Sequence, residues 1–223
     1  MLFRSLALAA TALAVSGLAN AATIDWNSWS TNSAGSISTT SGPISVTYSG
    51  EMSGYYANYP SWTPSGTFAD GTIVANAPTG SNGIIHLIGG GGAGAVVDTV
   101  TFSQAVVNPV FSIWSLGQGG DTASFNFIGA TPIFVAGGGS AEYGGSSITV
   151  SGNDVTGTEG DGTVQFIGTY TSISWTNPVA ENWYGFDVGV AGVASAVPEP
   201  GSVGMLLAGL TLTGLAIRRR NMQ

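Results

Sequence analysis

One loop in the first third of the chain concentrates side chains that could bind a sugar. Four aromatic residues fall close together, outside any clear strand alternation: Tyr55, Tyr56, Tyr59 and Trp62. Aromatic rings pack against the apolar faces of sugar rings, while the polar edges of Tyr and Trp make hydrogen bonds. The spacing therefore predicts a carbohydrate-stacking platform. The alternative is a loop that folds back over the domain with its rings buried.

The most acidic segment, residues 153–162, carries the candidate metal ligands Asp154, Glu159 and Asp161. Calcium prefers roughly six to eight oxygen ligands from carboxylates, carbonyls and water. The spacing differs from that of an EF-hand loop, which places acidic or amide side chains at alternate positions and ends on a Glu. Calcium binding is one interpretation of this segment, and a solvated acidic turn is the other. No other cofactor is expected.

Residues typical of nucleophilic catalysis are sparse. His86 is the only histidine, it lies in an apolar strand pattern, and no G-x-S-x-G turn presents a serine. Cysteine is absent, which excludes thiol catalysis and, with a single histidine, a typical zinc site. The acids offer carboxylate pairs for glycoside hydrolysis, but none lies in a recognisable motif. We expect no catalytic residues and no enzymatic activity, and we keep a glycan hydrolase as a third hypothesis.

Charge is unevenly distributed along the chain. All four basic residues lie at its two ends: Arg4, Arg218, Arg219 and Arg220. The segment 22–197 contains no lysine or arginine, yet it holds every acidic residue except Glu199. Because phosphate binding by counterion release requires basic side chains, this composition excludes nucleic acid as a partner. Without cysteine there are no disulfides either, so a packed core has to supply the stability.

The segment 22–197 predicts a single all-β ectodomain. Short alternating apolar stretches recur between clusters of Gly, Asn, Ser and Pro, and no window shows a helical stripe with caps. Predicted strands are residues 23–29, 44–49, 84–88, 96–103, 110–116, 123–128, 148–151, 163–168, 172–176 and 183–190. Ten antiparallel strands favour a β-sandwich or jelly roll over a closed barrel. Five tryptophans are expected in the core or on a sheet face: Trp26, Trp29, Trp114, Trp175 and Trp183. The glycine run 137–139 is expected to be a flexible connection.

The first 21 residues have the three parts of a secretory signal peptide. Arg4 lies in a short basic region, residues 6–18 are apolar, and Ala19-Asn20-Ala21 forms an A-x-A cleavage site. We therefore expect residues 1–21 to be removed on export, so that residues 22–197 fold outside the cytoplasm.

The C-terminal tail, residues 198–223, also has three parts. Val197-Pro198-Glu199-Pro200 precedes an uncharged apolar run, residues 203–217, and the run is followed by Arg218, Arg219 and Arg220. This run lies at the short limit for a transmembrane helix, and the arginines would keep its end in the cytoplasm. The tail resembles the PEP-CTERM sorting signal. That resemblance implies recognition by an exosortase, transient anchoring in the inner membrane, cleavage, and delivery to the cell surface or extracellular matrix.

We call the segment 22–197 the body. Two of its stretches, residues 108–118 and 183–190, resemble ectodomains attached to other PEP-CTERM signals, which implies a β-sandwich ectodomain of unassigned activity. We therefore expect an exported, non-enzymatic protein with a structural or interaction role in the envelope, biofilm or floc. The alternative hypothesis is a lectin-like module that binds carbohydrate such as exopolysaccharide, assisted by calcium.

Overall fold

A computed structural model describes residues 21–51, 53–59, 66–90, 96–139 and 144–194. Residues 1–20 of the predicted signal peptide, the predicted sorting signal and Trp62 lie outside these ranges, so what was expected of their structure stays a prediction. The described residues are all-β apart from one turn of 3-10 helix at Gly80–Asn82. Among them, no helix is both long enough and apolar enough to cross a membrane.

The strands are more numerous than the ten predicted. In chain order they are β1 (Asp25–Trp29), β2 (Ala34–Thr39), β3 (Gly42–Ser49), β4 (Gly54–Tyr56), β5 (Ile84–Leu87), β6 (Val97–Val107), β7 (Val110–Leu116), β8 (Ala123–Ile128), β9 (Pro132–Gly139), β10 (Thr149–Ser151), β11 (Asp154–Gly157), β12 (Gly160–Phe166), β13 (Thr169–Thr176), β14 (Tyr184–Val190) and β15 (Gly192–Val193).

These strands form one continuous sheet in the order β10-β11-β8-β13-β6-β3-β2-β1-β14-β7-β12-β9, with β4, β5 and β15 attached at the side. Strand β1 is the corner, because Asp25 and Trp26 pair with β14 while Asn27–Trp29 pair with β2. The sheet folds over there and nearly closes into a barrel. The all-β antiparallel prediction is confirmed. The finer expectation of a sandwich or jelly roll stays a prediction, because alternation specifies strands but not whether their sheet is split.

The main core lies between the two halves of the folded sheet. Phe111 on β7 and Phe186 on β14 come from one half, and Phe125 on β8 and Trp175 on β13 come from the other. The Phe186 ring lies 5.1 Å from Trp175 and 5.8 Å from Phe111 between centroids. Burial is confirmed for four of the five tryptophans: Trp26, Trp29, Trp114 and Trp175. The core thus joins both halves of the sheet without disulfides.

Several strands fall where none was predicted. In β2, Ile37 is the one fully buried side chain among small and polar neighbours, so the apolar–polar alternation of this strand is weak. The acidic segment 153–162 is not a solvated turn, since it contains β11 and the start of β12. Residues 137–139 belong to β9 and are not a flexible connection. A Cβ on Gly137 would lie 2.0 Å from Ser147 Oγ, so glycine lets the chain at Ser147 pack against β9.

Four carboxyl groups of the described residues are buried without a basic residue to pair with them: Asp98, Asp161, Glu181 and Asp187. Asp98 accepts hydrogen bonds from the Tyr48 hydroxyl (2.6 Å) and the Glu51 N–H (2.7 Å). Burial raises the pKa of Asp98 to about 6, of Asp161 to about 7 and of Glu181 to about 8. Burial also holds the pKa of Asp187 well above its usual range. The folded chain therefore keeps protons that the unfolded chain releases.

We expect the free energy of unfolding to fall as the pH rises from about 4 to about 8. Over this window the folded chain binds more protons than the unfolded chain, and each fully linked carboxyl lowers the free energy of unfolding by about 1.4 kcal/mol per pH unit. Thermal unfolding across the window measures the effect. Asp161→Asn and Glu181→Gln, which keep an acceptor oxygen, should flatten the profile. Asp154→Asn is the control for net charge, and a melting temperature that rises with pH would contradict the expectation.

Phe186→Ala should lower the free energy of unfolding by about 3 to 5 kcal/mol, because it removes a fully buried ring that contacts both halves of the sheet. Urea unfolding measures the loss. Phe134→Ala is the matched control: its ring on β9 is 46% exposed, and its removal should cost less than about 1 kcal/mol. Equal losses in the two variants would mean that the two halves do not share a core.

Candidate functional site

The candidate site begins at a bulge between β7 and β12. Leu116 pairs with Gly160 and Ile113 pairs with Gly162, so β7 has one extra residue between these pairs. Within this interval Ser115 has a positive φ of 52°. A non-glycine residue in this conformation persists where the surrounding structure holds it, and bulges of this kind often lie beside functional sites.

Carboxyl groups hold the bulged backbone in place. Asp161 accepts the Ser115 N–H at 2.6 Å, and Glu159 accepts the Ser115 hydroxyl at 2.7 Å. Glu181 accepts the Gly117 N–H at 2.8 Å. Gly117 has φ 81°, and a Cβ there would lie 2.2 Å from a carbonyl oxygen of β11, so glycine is required. Three carboxyl groups are thus gathered around residues 115–117.

A pocket of about 260 Å³ opens beside this bulge. Its lining residues are Ser115, Gly117, Gln118, Glu159, Asn182 and Trp183. The Gln118 amide is fixed in orientation, since Nε2 donates to Asp121 at 3.0 Å and Oε1 accepts the Asn182 N–H at 3.3 Å. Sites for drug-sized ligands are usually larger, roughly 300 to 1,000 Å³. The pocket therefore suits a group about the size of one six-membered ring.

An aromatic cluster extends from the pocket through Trp183. The Trp183 ring stacks on Tyr59 at 5.5 Å and on His86 at 5.4 Å between centroids. The Tyr56 ring lies 5.3 Å from Tyr59 and 6.4 Å from Trp183. Tyr56 is 41% exposed and the other three rings are half-buried. Aromatic surface therefore borders a pocket lined by polar groups.

Two of the four aromatic residues predicted as a platform, Tyr56 and Tyr59, belong to this cluster. Tyr55 lies on the opposite face of β4, and its hydroxyl donates to the Ser30 carbonyl at 3.1 Å. Trp62 is outside the described residues. The residue that the sequence analysis missed is Trp183, which it assigned to the core or a sheet face. Trp183 precedes β14, and this position leaves it half-buried beside the pocket.

His86 lies on β5, on the strand where the sequence predicted it. It is half-buried, and its Nε2 has no hydrogen-bond partner among the described residues. Burial lowers its pKa, while a hydrogen bond with the Asn182 backbone acts in the opposite direction. His86 is therefore neutral at pH 7 and serves in the cluster as an aromatic ring that packs on Trp183.

The three residues predicted as calcium ligands are not brought together. Glu159 and Asp161 converge on Ser115, whereas Asp154 begins β11 and pairs with Asn126. The length of β11, roughly 10 Å, separates Asp154 from the other two. Across the described ranges, no group of three acidic or histidine side chains could hold a metal ion. Calcium binding stays a prediction.

Asp161 and Glu181 lie behind the wall of the pocket and do not line it. Asp161 Oδ2 and Glu181 Oε2 are buried, and neither has a hydrogen-bond partner in the part of the chain that the structure describes. Burial, reinforced by the charge of Glu159, raises the pKa of both groups. Of the three carboxyls, Glu159 alone lines the pocket. A ligand there would meet one carboxylate, whereas glycoside hydrolysis uses a pair that flanks the bond.

Comparison with known proteins bears on the tail of the chain. Residues 196–220 match the PEP-CTERM protein-sorting motif. No curated protein and no solved structure shows significant similarity to the chain. The matched residues include Pro198-Glu199-Pro200, the apolar run 203–217 and Arg218–Arg220, so the resemblance noted in the sequence is confirmed. The chain is therefore an exported protein that carries the PEP-CTERM sorting motif of exosortase substrates.

Proposed function

We propose that this exported protein binds carbohydrate at the cell surface or in the extracellular matrix, through the pocket beside Trp183. The observation that carries the proposal is the contact between the aromatic cluster and the polar pocket. Trp183 belongs to both, and Gln118 and Asn182 supply amide groups beside it. A sugar ring presents an apolar face and a rim of hydroxyls, which such a combination can bind together.

Much of this pocket is held in shape before any ligand arrives. Hydrogen bonds to Asp121 and to the Asn182 backbone fix the orientation of the Gln118 amide, and Glu159 accepts a hydrogen bond from the Ser115 hydroxyl. Polar groups that are already oriented lose less conformational freedom on binding, which favours affinity. The folded sheet, which we regard as the two layers of a sandwich, provides the rigid support.

The proposal places a binding module in a structural role. Sorting by an exosortase would display the body at the surface. Binding to exopolysaccharide there would link the protein to the material of the envelope, biofilm or floc. It includes no catalytic step: of the residues that the structure describes, Glu159 alone brings a carboxylate to the pocket wall. The proposal does not require calcium, and measuring binding in calcium and then in chelator tests whether calcium contributes.

Trp183→Ala should weaken glycan binding about tenfold or more, because it removes the ring that joins the cluster to the pocket. A glycan array probed with the purified protein, in calcium and then in chelator, identifies the sugars. Calorimetry then measures their affinities. Tyr56→Ala should have a smaller effect, since Tyr56 does not line the pocket.

The control for this experiment is Phe134→Ala, which removes an exposed ring from β9, outside the pocket. Melting temperatures show whether each variant still folds. Failure of the wild-type protein to bind any glycan, or unchanged binding by folded Trp183→Ala, would reject the proposal. Binding that disappears in chelator would show that the interaction depends on calcium, with Asp154, Glu159 and Asp161 as the candidate ligands.

Replacing both Pro198 and Glu199 with Ala should leave the protein uncleaved and retained in the membrane of its native host, because the change removes the tripeptide of the sorting motif. Cell fractionation with immunoblotting measures retention and chain length. Ser195→Ala, just before the matched residues, is the control and should be processed normally. Normal release of the double variant would contradict the role of the tripeptide.

A further inference from the structure

The pocket beside Trp183 carries the negative charge of Glu159, and no basic residue of the body neutralises it. Among the described residues, the titratable groups around it are Asp121, Glu159, Asp161, Glu181, His86 and Tyr184. All of these are acids except His86, which is neutral at pH 7 because burial lowers its pKa. No lysine or arginine exists between residues 22 and 197 to balance them.

We infer that the pocket binds a positively charged group, and that its ligand is an amino sugar with a protonated amine, such as a unit of a de-N-acetylated polysaccharide. The inference rests on the proposed carbohydrate binding and adds the class of sugar. Glu159 and Trp183 line the same pocket. An ammonium group forms a charge-assisted hydrogen bond with a carboxylate and is attracted to the face of an indole ring.

Glu159 has an oxygen available for such a ligand. Its side-chain hydrogen bond within the described residues uses Oε2, which accepts the Ser115 hydroxyl. Oε1 is left to bind a donor from outside the chain. Glu159 also has a positive φ of 51°, in the connection between β11 and β12. Such strained residues occur preferentially at functional sites.

A second observation, independent of Glu159, points to the same kind of ligand. Asp161 is 1% exposed and Glu181 is 8% exposed, and each has one carboxyl oxygen without a hydrogen-bond partner in the described residues. Leaving such oxygens unpaired costs free energy. The other oxygen of each is bonded to the backbone of a pocket-lining residue, Ser115 or Gly117. Both carboxyls therefore lie directly behind residues that line the pocket, and the charge of a cation in the pocket would favour their ionised forms.

Other sugar classes fit this charge pattern less well. A uronic acid would bring a second carboxylate next to Glu159, with no cation to relieve the repulsion. A neutral sugar could stack on Trp183 and bond to Gln118 and Asn182, but it would leave the charge of Glu159 unpaired. An amino sugar uses both the ring and the carboxylate.

Calorimetry on the purified full-length protein tests the inference with oligomers of glucosamine, N-acetylglucosamine and glucose of equal length. We expect the glucosamine oligomer to bind at least about tenfold more tightly than the other two, the effect of one charge-assisted hydrogen bond. At a mildly acidic pH, where the free amine is already protonated and takes up no proton on binding, binding should release protons, because a nearby cation lowers the pKa of Asp161 and Glu181. Measurements in two buffers of different ionisation enthalpy quantify that release.

Glu159→Gln should abolish the preference for glucosamine while keeping the shape of the pocket. Asp154→Asn is the matched control, since it removes the same charge from the same acidic segment at the far end of β11, and it should keep the preference. Asp161→Asn should reduce the number of protons released without preventing binding. Polylysine serves as a probe for attraction to negative charge alone.

The possible results separate the inference from the proposed function. Equal affinity for the three oligomers, lost in Trp183→Ala, would overturn the inference and leave carbohydrate binding in place. No binding of any of the three oligomers would overturn the inference, and failure to bind every glycan on the array would overturn the proposed function as well. Polylysine binding as tightly as the glucosamine oligomer, or a preference that survives in Glu159→Gln, would also overturn the inference. Preference for glucosamine that depends on Glu159 and Trp183 but not on Asp154 would establish it.

Discussion

Between residues 22 and 197 there is no lysine or arginine, so every buried acid has to be stabilised without an ion pair. The fold meets this constraint with backbone N–H groups, hydroxyls and retained protons. Asp98 joins Tyr48 to the Glu51 backbone, and Asp161 and Glu181 bind the N–H groups of Ser115 and Gly117. Each of these carboxyls binds irregular backbone, at the bulge of β7 or just beyond the end of a strand, where no ladder partner is present.

The shape of the candidate site follows from these local hydrogen bonds. Ser115 lies in a conformation that few non-glycine residues adopt, and Asp161 and Glu159 hold both its N–H and its hydroxyl. Gly117 approaches a carbonyl of β11 too closely for any side chain. Ser115, Gly117 and Glu159 line the pocket, and Asp161 lies behind them, so the acids that replace ion pairs in the fold also determine the electrostatics of the site.

The tail and the body are subject to separate physical requirements. The sorting motif requires a short tripeptide, an apolar run and terminal arginines, and these depend on composition and order rather than on the fold of the body. The body has to remain folded outside the cytoplasm without disulfides. It does so through a core in which aromatic rings from both halves of the sheet, such as Phe186 and Trp175, contact one another.

Local sequence patterns by themselves determined the all-β class, most strand positions and the sorting motif, because each depends on neighbouring residues or on composition. The pairing of distant strands decided the rest. Trp183 meets His86 because β14 pairs with β5, and Asp161 reaches Ser115 because β12 pairs with β7. Local alternation shows which residues share a face of one strand, but it does not show which distant strand pairs with it or in what register. For that reason Asp154 and Tyr55 were grouped with residues from which the folded chain separates them, whereas the position of Trp183 beside the pocket was missed.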